Sequence, residues 1–178
     1  MAPSVLLLGD PTARTSCYIG LDVLEDILGH GRTEPHCEVG GVLLGTLGAD
    51  GPGPTAWVED MVPARLAAAS ATHVTFTHET WVQIHHDVEN RDDHLQIVGW
   101  YHTHPGFGPF YSSQDYFIHR NFFTDERHVG IVLDPIRVSL SVFGWIDGDV
   151  RRLPVCAVYA AQDQAADLEA FAEEAVYV

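Results

Sequence analysis

Residues 95–115 read LQIVGWYHTHPGFGPFYSSQD, and the fold turns on whether this stretch opens as a strand. β-Branched and aromatic side chains crowd LQIVGWYHTH (95–104), the composition of a buried central strand. Pro105, Gly106 and Gly108 then end it. In a strand, residues i and i+2 share a side, so His102 and His104 present their imidazoles together at its end. The loop PGFGPFY leads to Ser112 and Asp115, an S-x-x-D ahead of an apolar segment and so a capping-box pattern. A helix is expected from about Ser113 to Phe123, its first turn brought back over the strand end by the short loop.

Outward from this unit, strands and helices intersperse. LDVLEDILG (21–29) spaces Leu21, Leu24, Ile27 and Leu28 as an amphipathic helix, with Gly29 as its stop. HCEVGGVLLGTL (36–47) reads as an apolar strand whose paired glycines let another backbone approach closely. ADGPGP (49–54) is a turn and TAWVEDMVP (55–63) a returning strand. LAAASATHVTFT (66–77) reads as a mobile loop entering a short strand. A helix over 78–90 puts Trp81, Ile84 and Val88 inward. HVGIVLDP (128–135) and VSLSVFGWID (138–147) are further strands, and QAADLEAFAEEA (164–175) a final helix. The expected class is α/β: one domain, a mixed sheet flanked by helices.

The chain has 178 residues and 46% hydrophobic content, enough for a packed core without staples. Its formal net charge of −16 repels phosphate backbones, which argues against nucleic acid as a partner. No apolar run approaches membrane length, and MAPSVLLLGD lacks a basic leader; a soluble, cytoplasmic protein is expected. The three cysteines, Cys17, Cys37 and Cys156, form no C-x-x-C, against both a disulfide framework and a thiolate zinc site. All nine basic residues are Arg. Biased codon usage explains this; so would a surface kept free of acceptor amines.

Two imidazoles and a carboxylate, His102, His104 and Asp115, make a ligand set that leaves one tetrahedral position open. That is the pattern of catalytic rather than structural zinc. Asp115 is equally explained as a cap, and the readings are compatible because a helix N-terminus favours an anion. A hydrolase also needs a base beside its water. Glu38 is the candidate, a carboxylate on an otherwise apolar strand, with a solvent-facing strand end as the alternative. HETWVQIHH (78–86) has Val82 where a zincin helix needs His, and the P-C-x-x-C of zinc deaminases is lacking.

EVGGVLLG, IVGWYHTHPGFG, then Ser112, Gln114 and Asp115, then VGIVLDPI resemble, in this order, the JAMM (MPN-plus) zinc metalloproteases, over about residues 18–150. The likeness is greatest to the deubiquitinase-like isopeptidases of the proteasome lid and signalosome. The family pattern is Glu, then H-[ST]-H-P, seven residues, Ser, two residues, Asp. Here His104 is followed by seven residues, Ser112, two residues and Asp115. Thr103 replaces the commoner Ser, and GPFYSSQD stands where eukaryotic relatives favour G-C-W-L-S-G-x-D.

The resemblance implies the MPN/JAB fold, of cytidine-deaminase-like architecture with a partly curled sheet. Residues 1–16 would be an N-terminal extension, 17–155 the catalytic domain and 156–178 a C-terminal strand end and helix. It implies one Zn²⁺ on His102, His104 and Asp115, with Glu38 as general acid/base and Ser112 helping to bind the oxyanion. The implied reaction is hydrolysis of the bond after the Gly-rich C-terminal tail of a ubiquitin-like protein, alongside E1- and E2-like enzymes. Release of a small adduct from a sulfur-carrier ubiquitin-like protein is an alternative. A non-catalytic scaffold is another, disfavoured because all five motif positions are intact.

Overall fold

The stretch LQIVGWYHTH forms β7 (Gln96–Thr103), an interior strand buried from Val98 to Thr103. The computed structural model describes residues 2–48, 53, 55–69 and 73–178. One ten-stranded mixed sheet organises them. Across it run β1 (Ser4–Gly9), β11 (Val155–Ala160), β2 (Cys17–Gly20), β4 (Thr55–Pro63) and β3 (Gly40–Gly48). Beyond these come β7, β8 (Val129–Asp134), β9 (Ser139–Ile146) and β10 (Asp149–Arg152), with β12 (Val176–Tyr177) also on β9. The sheet curls. Tyr177, on β12, packs its ring where a side chain on Gly9 of β1 would stand, although β9 and β1 lie far apart in strand order. A separate ladder joins β5 (Ala68–Ala69) to β6 (Val74–Thr75).

Alternation along β7 divides the core. Tyr101 joins the cluster covered by α1 (Leu21–Thr33) and α4 (Ala165–Glu174). Trp100 joins the opposite cluster, under α2 (His78–Glu89) and α3 (Ser113–Phe122). His102, two residues on, faces this second side. β7 pairs antiparallel with β3, Gly40 opposite His102, and parallel with β8, His102 opposite Val132. The paired glycines behave as expected. A Cβ on Gly41 would lie 2.2 Å from the Val62 carbonyl oxygen and one on Gly40 2.7 Å from that of Tyr101.

Three boundaries differ from the sequence reading. The strand expected over 36–47 begins at Gly40, so Glu38 lies in the irregular segment before it. α1 runs past Gly29 to Thr33, because Gly31 lets the last turn sit on Thr103 and Pro135. A Cβ there would be 3.0 Å from the Thr103 methyl and 3.1 Å from the Pro135 ring. Residues read as an extension supply β1, paired antiparallel with β11. Most of the expected 49–54 turn, and residues 70–72 of the expected loop, lie outside the described residues. The cysteines are free thiols, Cys17 and Cys156 buried. No described helix is long and apolar enough to cross a membrane.

Candidate metal centre

The end of β7 and the start of α3 bring His102, His104 and Asp115 together. One ligand atom from each lies within 4.8 Å of the others, and all three residues are buried. His104 stands just past the last residue of β7, its N–H still bonded to the Leu133 carbonyl at 2.9 Å, so the two rings remain on one side. Asp115 closes the cap foreseen for it and keeps one carboxylate oxygen free of that cap. Its Oδ2 accepts the Ser112 N–H at 2.6 Å, and its own N–H donates to Ser112 Oγ at 3.3 Å, which closes the capping box. Its Oδ1 is left facing His102 Nε2 at 3.4 Å.

Glu38 completes the group. Thr103 N–H donates to the Val39 carbonyl at 2.8 Å, and Val39 N–H donates to Thr103 Oγ1 at 3.1 Å. This clip fixes the residue beside Glu38 against β7 and sets its Oε1 3.4 Å from His104 Nε2. The carboxylate is buried, 6% exposed, so the solvent-facing alternative does not hold.

These donors fit a small divalent cation. Bonds of ~2.0–2.1 Å in a tetrahedron imply donor–donor edges of roughly 3.3 Å. The His102–His104 Nε2 edge is 3.1 Å and the His102–Asp115 edge 3.4 Å. Burial, with His102 beside it, pushes the His104 pKa down to about 4, so this imidazole is neutral at physiological pH, the ligating form. Its Nδ1 lies 3.0 Å from the Gly108 carbonyl, which places the proton on Nδ1 and leaves the Nε2 lone pair facing the group. Burial also raises Asp115, but hydrogen bonds from His102 and Ser112 outweigh it and hold the carboxyl below its usual range. Burial, then the nearby Asp115 charge, pushes Glu38 up to about 7.

That shift gives a test on metal-free protein. A carboxylate whose folded pKa exceeds its unfolded value opposes folding when ionised, and the penalty vanishes as pH falls below the unfolded value. After chelation, Glu38→Gln is expected to melt several degrees above the wild type at about pH 8, the two converging by about pH 4.5. Equal melting temperatures throughout would place Glu38 in a wetter setting.

Behind the centre lies a buried aromatic layer that sequence reasoning missed. Trp100 stacks on His102, centroids 4.7 Å apart and planes 14° apart. Trp100 Nε1 and the Tyr111 hydroxyl both reach Nδ1 of buried His119, at 3.4 and 3.0 Å. Tyr111 also lies flat on Phe143, centroids 3.8 Å apart. His102 Nδ1 is buried with no hydrogen-bond partner among the described residues, so packing rather than a second hydrogen bond orients this ring.

Fold and site together define a JAB-type domain. The family described as JAB1/Mov34/MPN/PAD-1 ubiquitin protease matches residues 13–126, which include Glu38, His102, His104, Ser112 and Asp115, and the chain belongs to it. Among curated relatives, the ubiquitin carboxyl-terminal hydrolase RPN11 of Saccharomyces cerevisiae is 32% identical over 148 residues, 82% of this chain and 46% of the relative. The 26S proteasome regulatory subunit RPN11 of Encephalitozoon cuniculi is 30% identical over 148 residues, 82% and 48% respectively. The chain thus spans about half the length of these relatives. A Desulfitobacterium hafniense protein solved in solution shares the fold, with TM-score 0.59 at 19% identity, covering 81% of this chain and 92% of that one.

Proposed function

We propose that this chain is a zinc-dependent isopeptidase that cleaves the bond after the C-terminal tail of a ubiquitin-like protein. One observation carries the reading: a buried carboxylate, Glu38, stands 3.4 Å from a neutral histidine of a three-donor metal set. A scaffold gains nothing from burying such a charge. Family membership and the names of the relatives support the substrate class.

His102, His104 and Asp115 would hold the ion, which when bound supplies Lewis acidity toward water and the scissile carbonyl. Glu38 takes the proton of the attacking water and returns it to the departing amine. The Ser112 oxygen accepts the Asp115 N–H, so its own O–H is free to donate to the developing oxyanion. Phe107 and Phe110, exposed on the loop between the ligands, offer apolar surface, with Phe110 4.6 Å from the His104 ring.

Two substrates test this: a linear fusion carrying a ubiquitin-like protein with a Gly-Gly end, and the same protein joined to a lysine side chain. Cleavage directly after the tail, stopped by chelation and restored by zinc, is expected. Intact substrates in the presence of zinc, across a panel of ubiquitin-like proteins, would refute the reading.

A further inference from the structure

Asp134 ends β8 with its side chain completely buried, and no step above uses it. Ionised carboxylates are rarely hidden unless every oxygen is engaged. Here the partners are almost all backbone N–H groups. Oδ1 accepts from Gly106 at 2.9 Å, Ile136 at 3.0 Å and Arg137 at 3.3 Å, and Oδ2 accepts from Gly108 at 3.1 Å. The Arg137 guanidinium, 3.9 Å from Oδ2, is 62% exposed and adds little. Burial alone would raise this carboxyl, but the four N–H bonds hold it below its usual range, so it is a charge at neutral pH.

Two of these donors belong to the loop that follows His104. Gly106 and Gly108 have φ of +79° and +83°, a conformation that glycine adopts without strain. Asp134 ties both down, and the Gly108 carbonyl then meets His104 Nδ1 at 3.0 Å. A continuous chain runs from the buried carboxylate, through one glycine, to an imidazole of the metal set. His102 has no such link, its Nδ1 being unpartnered among the described residues.

We propose that Asp134 is a positioning residue: through Gly108 it fixes the tautomer and ring orientation of His104. The purpose of that positioning rests on the zinc reading above; the positioning itself does not. Held on Gly108, the ring keeps its proton on Nδ1 and its Nε2 lone pair aimed at the ion, as partners behind metal-bound histidines do elsewhere.

Asp134→Asn is the discriminating change. It keeps the shape, but its single carbonyl oxygen cannot serve both ends of the cradle. With that oxygen toward Gly106, the new NH₂ meets the Gly108 N–H donor to donor. In chelated wild-type protein, long-range ¹H–¹⁵N spectra should show His104 as the Nδ1–H tautomer, and Asp134→Asn should mix the two. Zinc affinity, measured by competition with a chromophoric chelator, should fall about 10–100-fold while the circular dichroism stays native.

A folded Asp134→Asn with an unchanged His104 tautomer and unchanged affinity would overturn the proposal and leave the zinc reading intact. Wild-type protein that takes up no zinc would overturn the zinc reading, and the tautomer would still decide the positioning role. If Asp134→Asn does not fold, exchange of the Gly108 amide in the wild type decides instead. Strong protection supports the cradle, and exchange at the rate of an open loop rules it out.

Discussion

Glu38→Gln is expected to fold, to bind zinc at the wild-type level and to cleave a ubiquitin-like fusion about 10²–10⁴-fold more slowly, the usual effect of removing a general base. The substitution keeps the volume of a residue that is 6% exposed, so its neighbours are undisturbed. What disappears is a carboxylate that stands beside His104 without belonging to the ligand set. The loss should fall on kcat, since the carboxylate acts on the proton in flight and not on the substrate tail. Metal analysis separates this from ligand loss. A variant that keeps its zinc and cleaves at the wild-type rate would remove Glu38 from the chemistry.

Gly130→Ala is expected to damage the fold more than any change at the surface. Gly130 lies on β8 opposite Trp100 of β7, and a Cβ there would sit 1.7 Å from the Tyr111 hydroxyl and 3.0 Å from Trp100 Nε1. Neither ring can yield easily. Tyr111 is pressed flat on Phe143, and Trp100 stacks with both His102 and Phe123. Overpacking, with loss of the Tyr111–His119 bond, should cost roughly 2–4 kcal/mol and lower the melting temperature by about 5–15 °C. Gly130→Ala combined with Tyr111→Phe should recover part of this, because the hydroxyl makes the closest contact. No recovery would mean that the backbone rather than Tyr111 bears the strain.

The sequence disclosed this site unevenly, for physical reasons. His102 and His104 are legible because strand periodicity alone puts them on one side, and Ser112 with Asp115 because a capping box is a local pattern. Glu38 stood out as a carboxylate in an apolar stretch and through the family resemblance; the strand assumed for it starts two residues later, and an irregular segment clipped to Thr103 presents it instead. Asp134 and His119 were not legible. Each gains its role from partners that only the sheet brings near: Gly106 and Gly108 on a loop 28 and 26 residues away, and Trp100 from β7. At the level of the fold, the mixed sheet and four helices followed from pattern, whereas β1 read as no more than an apolar patch. Its partner β11 lies some 150 residues on, and nothing local marks SVLLLG as an edge strand.

The central claim is that His102, His104 and Asp115 form one catalytic zinc centre, and metal analysis of purified protein tests it most directly. About one zinc per chain is expected in the wild type, and close to none in Asp115→Ala and in His102→Ala/His104→Ala, with native circular dichroism in each. Full zinc retained in both variants would contradict the account.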